Sequence, residues 1–316
     1  MNKEAVRLLP AFKDYLWGGT KLKEKYNKHS KLEKVAESWE LSTHKDGPSI
    51  ISGGEFDGLT LSEYIEKNEG CIGSAAEKFE YFPILIKFID ALGNLSVQVH
   101  PDDEYALRVE GEYGKTEMWY ILEADEGASL YYGVTKELSK EEFRKRIENN
   151  TLLEVLNKVP VKKGDVFFIN SGTIHAIGQG IVICEIQQNS NTTYRVYDYG
   201  RLDKNGKPRE LHIDKAIEVS NLSPSPAQKA PEAGNDVILA SCDYFTVRKL
   251  TPPHSGMSVK ITDSCFHSLI VTDGSGTLEL NGQTLDLNKG DSIFIPAQNG
   301  EYKLSGEADI ILSYVK

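Results

Sequence analysis

Four side chains of types that bind metal ions stand in three separate segments of the sequence. Gln98 and His100 are two residues apart, Glu117 lies in the next apolar stretch, and His175 follows a small-residue turn. Two imidazoles, a carboxylate and an amide oxygen form a suitable ligand set for zinc, with room left for water or another ligand. The spacing therefore predicts a metal site, provided that the fold brings the three segments together.

The elements that must position these residues are β-strands. Residues 95–102 alternate strictly, which places Ser96, Gln98 and His100 on one strand face and three apolar side chains on the other. Residues 115–122 also have strand character, and Glu117 shares a face with apolar neighbours. A carboxylate in that setting is unexpected unless it has a partner.

Charge counting indicates what such a site would bind. One carboxylate against a divalent cation leaves a charge of about +1, which suits an anionic or electron-rich oxygen ligand. A metal ion there could polarise a carbonyl and stabilise an enediolate. Lys115, Arg195 and Arg201 add positive charge that suits a phosphate group. On a straight strand the two arginine Cα atoms would lie about 20 Å apart, so both reach one small ligand only if the chain bends, as Gly200 allows.

Bulk properties exclude several classes of function. The 316-residue chain is long enough for two cores, and its 40% apolar content is typical of a globular protein. A net charge of −11 argues against nucleic acid or an anionic membrane as the main partner. We find no signal-peptide pattern and no run of membrane-spanning length. The four cysteines have no Cys-x-x-Cys spacing, which predicts reduced thiols and a cytoplasmic location.

The order of patterns predicts a mostly β protein with a helical insertion. Helical segments are expected at about 60–80 and 139–158, the latter from capping boxes that begin at Ser139 and Thr151. A Pro-rich linker occupies residues 221–235. After it, residues 290–296 repeat the pattern of residues 164–170, and continuing that register places Glu301 opposite His175. The second copy is therefore expected to keep the scaffold without the ligands.

Three segments carry a resemblance to a known family. Residues 95–102 (LSVQVHPD), 114–119 (GKTEMW) and 172–176 (GTIHA) resemble the signature segments of type I mannose-6-phosphate isomerases, which are zinc enzymes of the cupin superfamily. The resemblance spans residues 10–220. It implies two cupin (jelly-roll) barrels: a catalytic domain at 1–220, the linker at 221–235, and a degenerate cupin at 236–316.

The resemblance also implies roles for individual residues. Gln98, His100, Glu117 and His175 would bind one zinc ion per chain, and Arg195 would be the essential catalytic arginine. The pocket around them would be lined by Trp17, Ser96, Lys115, Glu185 and Arg201, with Arg201 in the place of a phosphate-binding lysine. The implied reaction is the reversible interconversion of mannose 6-phosphate and fructose 6-phosphate through an enediolate, and the implied partner is this small sugar phosphate.

Several alternatives stay open at this level. The proton-transferring base could be Glu185, Lys115 or a hydroxide on the metal. His100, Asp102 and His175 also spell the facial triad of an iron oxygenase, in which Arg195 would hold a 2-oxo acid. A sugar-binding cupin without catalytic activity would use the same ligands. The sequence leaves the oligomeric state open.

Overall fold

The structure is a computed structural model that describes residues 3–202, 206–228 and 230–316. The strands of the first half are Val6–Leu9 (β1), Ala11–Lys13 (β2), Glu37–Leu41 (β3), Ile50–Ser52 (β4), Ile84–Ala91 (β5), Val97–Val99 (β6), Glu117–Ala124 (β7), Ser129–Val134 (β8), Leu156–Pro160 (β9), Val166–Ile169 (β10), His175–Ala176 (β11), Ile181–Gln188 (β12) and Tyr194–Tyr197 (β13). Those of the second half are Asp236–Ser241 (β14), Thr246–Leu250 (β15), Met257–Ile261 (β16), His267–Asp273 (β17), Ser275–Leu280 (β18), Gln283–Asn288 (β19), Ser292–Ile295 (β20), Gly300–Gly306 (β21) and Asp309–Tyr314 (β22). The α-helices are Lys21–Lys25 (α1), Leu61–Lys67 (α2), Ser74–Glu77 (α3), Asp103–Val109 (α4), Lys140–Glu148 (α5) and Ile213–Val219 (α6). The predicted mostly β fold class is confirmed.

Packing divides the chain into two compact units. Unit 1 consists of the described residues within Met1–Lys13, Thr20–Phe88 and Pro231–Lys316, and unit 2 of those within Asp14–Gly19 and Ile89–Ala230. Residues 20–88 thus pack with the C-terminal segment, because β1 pairs with both β4 and β20. The contiguous domains at 1–220 and 236–316 stay a prediction.

Unit 1 contains two antiparallel sheets with an apolar core between them. One sheet has the strand order β14-β15-β22-β17-β20-β1-β4, and the other β16-β21-β18-β19. Leu269, Ile293 and Leu312 of the first sheet meet Leu278 and Tyr302 of the second in one buried cluster. Alternation within each strand sends these side chains to the same side of their sheets.

Unit 2 contains the predicted site residues. Its five-stranded sheet has the order β13-β6-β11-β8-β9, and β10, β7 and β12 pair in that order as a second layer. One face of the five-stranded sheet is apolar: Val97 and Val99 pack there against Phe143 of α5 and Ile217 of α6. The opposite face is therefore left for the polar side chains that alternate with these valines.

The helical insertion is shorter than predicted. One half of the capping box predicted at Ser139 is confirmed: Ser139 accepts a hydrogen bond from the Glu142 backbone N–H (3.0 Å), and Glu142 Oε1 accepts from Lys136 Nζ (2.9 Å). The capping box predicted at Thr151 is wrong, because Thr151 makes no side-chain cap and only a 3₁₀ turn, Leu152–Val155, follows. The Glu154 carboxylate instead accepts from Arg146 (2.7 Å), and the chain enters β9, which pairs with β8.

The helical segment predicted at 60–80 consists of two short helices, α2 and α3, joined by a turn. The capping box at Thr60 is present: Thr60 Oγ1 accepts from the Glu63 backbone N–H. Across the described ranges 3–202, 206–228 and 230–316, no helix is long and apolar enough to span a membrane.

Part of the Pro-rich segment is tied to unit 2. The Leu222 carbonyl accepts from Leu138 N–H (2.9 Å), and Gln228 Oε1 accepts from Phe168 N–H (3.0 Å). Lys229 of the same predicted linker lies outside the described residues. These bonds hold residues 222–228 against the strands of unit 2.

Candidate metal centre

Three candidate residues form one row across the five-stranded sheet of unit 2. Arg195 of β13 is the register partner of Gln98 in β6, and Gln98 is also the partner of His175 in β11. Directly opposed residues of antiparallel strands project from the same sheet face. The row therefore places a guanidinium, an amide and an imidazole side by side.

The second layer of unit 2 supplies the acidic residues. In β7, Glu117 pairs with Gln187 of β12, and Trp119 pairs with Glu185. Glu117 and His175 are fully buried, and Glu185 is 3% exposed. The indole Nε1–H of Trp119 donates to Glu185 Oε2 over 3.0 Å, which fixes the Glu185 carboxylate.

Backbone carbonyls orient both imidazoles. Nδ1 of His100 lies 2.8 Å from the Thr192 carbonyl oxygen, and Nδ1 of His175 lies 2.8 Å from that of Thr173. A carbonyl only accepts, so each Nδ1 carries the proton and each Nε2 keeps its lone pair. Burial lowers the pKa of His175 to about 4, against a raising effect of the Thr173 bond. His175 is thus neutral near pH 7, the form that binds metals.

The donor atoms converge on a small buried volume. Ligand atoms of His100, Glu117 and His175 all lie within 4.8 Å of one another. Glu117 Oε1 is 3.3 Å from His175 Nε2, and Glu117 Oε2 is 3.7 Å from His100 Nε2. The side-chain amide of Gln98 lies 3.4 Å from His175 Nε2. The structure thus brings together all four predicted ligands.

A cationic group already lies among these donors. Lys115 Nζ is 2.5 Å from Glu117 Oε2, 3.3 Å from His100 Nε2 and 3.5 Å from Glu185 Oε1. The ammonium group acts as a stand-in cation, since it contacts the same lone pairs that a metal ion would use. The donor set therefore fits a small divalent cation in both position and charge.

Arg195 lies next to this cluster and is also close to two further arginines, Arg201 and Arg209. Its Nε donates to Ser96 Oγ (3.2 Å) and one terminal nitrogen donates to the Glu210 carbonyl (3.1 Å). Burial, followed by the charge of Arg209, lowers the pKa of Arg195. Arg195 thus connects the predicted ligands with a cluster of arginines.

Arg201 pairs with an acidic residue rather than with the ligand cluster. It contacts the Asp198 carboxylate, and one terminal nitrogen donates to the Asn94 carbonyl (2.6 Å). Arg209 donates to the same carboxylate at 2.6 and 2.7 Å. Burial alone would raise the pKa of Asp198, but the bonds from Arg209 and Arg201 outweigh it and lower that pKa.

Sequence reasoning missed Arg209. No strand pattern surrounds it, and its partner Asp198 lies eleven positions earlier in the chain. The signal that could have found it was the excess of positive charge, with Arg201, Arg209 and Lys207 near one another in the sequence.

Two other candidates have contacts elsewhere. Trp17 is buried, its ring lies 5.6 Å from that of Tyr15, and its carbonyl accepts from Gly93 N–H. Asp102 caps α4, where Oδ1 accepts from the Tyr105 backbone N–H (2.9 Å). A capping carboxylate is not directed at the ions that His100 and His175 could hold, which argues against the oxygenase triad.

A buried His-Glu-His group between two antiparallel strand layers defines a candidate metal-binding site of the cupin class. Residues 5–144 match the family described as "Phosphomannose isomerase type I, catalytic domain", and residues 236–315 match "Mannose-6-phosphate isomerase, cupin domain". The chain therefore belongs to the type I phosphomannose isomerase family, and it is an enzyme of that family.

Individual relatives agree with this assignment. The chain is 40% identical to mannose-6-phosphate isomerase of Streptococcus mutans, over 95% of this chain and 94% of that protein. It is 39% identical to mannose-6-phosphate isomerase ManA of Bacillus subtilis, with all of both chains covered. A crystal structure of the mannose 6-phosphate isomerase from Bacillus subtilis superposes with a TM-score of 0.88 at 35% identity, covering 98% of this chain and 99% of that one.

Proposed function

We propose that this enzyme holds one zinc ion and interconverts mannose 6-phosphate and fructose 6-phosphate through an enediolate. The observation that carries the proposal is the buried convergence of His100, Glu117 and His175 within 4.8 Å, in a chain of this family. Gln98 would be the fourth ligand. Its amide must turn its oxygen toward the ion, a rotation that exchanges two atoms of similar size.

Bound there, the ion would polarise an oxygen atom of the open-chain sugar. The protein side chains would orient the ligands, stabilise the developing charge and transfer the protons. Both histidines are held by backbone carbonyls with Nε2 inward, so ligand geometry is set before binding. Glu117, His175 and Glu185 are buried, so charges among these side chains interact more strongly than they would in water.

Arg195 would stabilise the charge that develops during the reaction. Removal of the C2 proton of open-chain mannose 6-phosphate leaves one negative charge, which forms on the C1 oxygen and passes to the C2 oxygen when the hydroxyl proton moves between the two oxygens. The row of Arg195, Gln98 and His175 puts the guanidinium beside the ligand residues. The bond to Ser96 holds its orientation before the substrate arrives. Preorganised donors of this kind stabilise the transition state more than the ground state.

Glu185 is our candidate for the base. It would take the proton from C2 and return it to C1, while a proton passes from the C2 oxygen to the C1 oxygen. Its carboxylate is buried, held by Trp119 and 3.5 Å from Lys115 Nζ. Lys115 is the rival base, and its ammonium would carry the proton between the two oxygens if Glu185 acts on carbon.

The phosphate group would bind at the arginine cluster. Asp198 neutralises one of the two charges of Arg201 and Arg209, and Arg195 adds a further charge beside them. A net charge of about +2 matches a phosphate dianion, and guanidinium forks match its oxygens. Ser96 and Trp17 are proposed to line the route between this cluster and the metal ligands.

A coupled assay that follows fructose 6-phosphate from mannose 6-phosphate tests the proposal. We expect turnover that falls at least about 10³-fold after chelation and returns with zinc. Arg195→Ala should lose about 10²- to 10³-fold in kcat. Glu185→Gln, which keeps the Trp119 bond, should remove turnover but retain zinc and substrate binding. Full metal content without turnover on hexose phosphates would support the non-catalytic sugar-binding alternative instead.

A further inference from the structure

Gln187 has a polar atom that the chain itself does not use. The side chain is fully buried at the end of β12. Its Nε2 group donates to the Gln188 carbonyl (2.8 Å) and to the Ser190 carbonyl (2.7 Å). Within residues 3–202, 206–228 and 230–316, no group donates to its Oε1.

The orientation of this amide is fixed. Both hydrogens of Nε2 have carbonyl acceptors, so exchanging nitrogen and oxygen would bring Oε1 against two other acceptors. The oxygen therefore has to find its donor elsewhere. A buried acceptor without a donor is costly, and in folded proteins such atoms are most often served by water or a ligand.

The register directs Gln187 toward the candidate metal centre. It is the cross-strand partner of Glu117, so the two side chains leave the sheet on the same face. Glu185, two residues earlier on the same strand face, reaches Lys115 and Trp119 within the pocket. Gln187 therefore lies on the same strand face as Glu185, the proposed base, and directly opposite Glu117, a proposed ligand.

We propose that Gln187 positions the substrate: its Oε1 accepts a hydrogen bond from a hydroxyl group of the bound sugar phosphate, near the reacting carbons. This inference rests on the proposed function. An amide oxygen is neutral and only accepts hydrogen bonds. It would therefore favour a sugar whose hydroxyl group donates to it, and disfavour the deoxy analogue that lacks this hydroxyl. The phosphate, which lacks a proton to donate as a dianion, would not bind here.

The turn after β12 requires a control, because Gln187 also organises it. Ser190 Oγ accepts from Thr192 N–H (3.2 Å), and the Thr192 carbonyl holds His100. Ser190→Ala therefore perturbs the same turn without touching the Gln187 amide oxygen. An effect that arises from the turn alone would appear in both variants.

Calorimetric binding of a non-reacting hexitol series tests the proposal. The probes are mannitol 6-phosphate and its 2-, 3- and 4-deoxy analogues, titrated into zinc-loaded wild type, Gln187→Met and Ser190→Ala. In wild type and Ser190→Ala, one deoxy analogue should bind about tenfold more weakly than the parent, the worth of one neutral hydrogen bond. In Gln187→Met this ratio should fall below about twofold.

A Gln187→Met variant that keeps the tenfold ratio overturns the proposal, and so does Ser190→Ala losing it as fully as Gln187→Met. If Gln187→Met does not fold, the wild-type series decides: equal binding of all four probes contradicts the assignment. Failure of the wild type to bind mannitol 6-phosphate or to isomerise its substrate would instead refute the proposed function.

Discussion

The two halves of this chain build the same turn and strand, but within the described ranges 3–202, 206–228 and 230–316 only the first half carries a candidate metal centre. Gly164 and Gly290 have φ angles of +92° and +93°. Asp165 Oδ2 accepts from the backbone N–H three residues earlier (2.9 Å), and Asp291 Oδ2 does the same (2.7 Å). The repeat of residues 164–170 in residues 290–296 is confirmed by β10 and β20, which begin two residues after each glycine.

The difference lies in the side chains that point inward from equivalent positions. Ile169 of β10 pairs with Glu117, and Ile295 of β20 pairs with His267, so His267 occupies the Glu117 position. Trp119 pairs with Glu185, whereas Leu269 pairs with Leu312. A polar pair has thus become an apolar one, buried in the unit 1 core.

Tyr302 completes the replacement in the second copy. Its hydroxyl lies 3.0 Å from His267 Nδ1, and the side chain is buried in the core of unit 1. Glu301, which the register predicted opposite His175, is exposed and pairs with Lys260, because the inward position falls on Tyr302. The scaffold therefore depends on turns and alternation, while the site depends on a few inward residues.

The largest effect should separate the two histidines. His175→Ala is expected to lose bound zinc and at least about 10³-fold in kcat. The matched variant His267→Ala should keep metal and turnover and lose about 1–3 kcal/mol of stability, because the buried Tyr302 hydroxyl loses its partner. Metal analysis, the coupled assay and thermal unfolding make the comparison. Loss of zinc from His267→Ala would show that the second copy also binds metal.

A smaller effect should distinguish Arg209, in the arginine cluster, from Arg144 on α5. Arg209→Ala is expected to raise KM for mannose 6-phosphate by about 10- to 100-fold, the worth of a charge-assisted bond to phosphate, with a smaller change in kcat. Arg144→Ala is the control, since Arg144 pairs with Asp214 on the exposed side of α5. Steady-state kinetics on both variants test this, and an unchanged KM in Arg209→Ala would remove Arg209 from the phosphate site.

The glycine turns should differ in their tolerance of alanine. In Gly164→Ala the new Cβ meets no atom of the described residues within 4 Å apart from its chain neighbours, and the change should cost about 1 kcal/mol for the left-handed backbone. Gly290→Ala should cost more, because its Cβ would collide with the Tyr26 carbonyl oxygen. Melting temperatures of the two variants measure the difference. Equal losses would mean that the Tyr26 segment moves aside freely.

The pH dependence of stability should be small, and His175 in unit 2 and His267 in unit 1 should both contribute to it. Burial lowers the pKa of both His175 and His267 to about 4. The unfolded chain, with a histidine pKa near 6.5, binds more protons between these values, so stability is full above about pH 6.5 and falls as pH drops toward 4. From pH 7 to 5.5 each histidine should account for about 1 kcal/mol in metal-free protein. His267→Gln should remove the part of this dependence that His267 contributes, about 1 kcal/mol between pH 7 and 5.5, and an unaltered slope would contradict it.

The sequence predicted which residues the candidate site would contain, because side chains alternate across a strand: Gln98 and His100 share one face because they are two residues apart. It also predicted that Glu117 needs a partner, since a carboxylate rarely lies among apolar residues. The 3₁₀ turn after Thr151 was not predictable from the capping pattern, because Glu154 accepts from Arg146, which lies eight residues earlier and outside the four-residue motif. The place of Gln187 could not be predicted either, because its register with Glu117 is a contact between two distant strands.

The most direct measurement is an anomalous difference map at the zinc edge, from crystals of the full chain grown with zinc. We predict one strong peak per chain, about 2.0–2.2 Å from His100 Nε2, His175 Nε2 and a Glu117 oxygen, and none beside His267 and Tyr302. A peak at His267, or no peak between the two imidazoles of unit 2, would contradict the account.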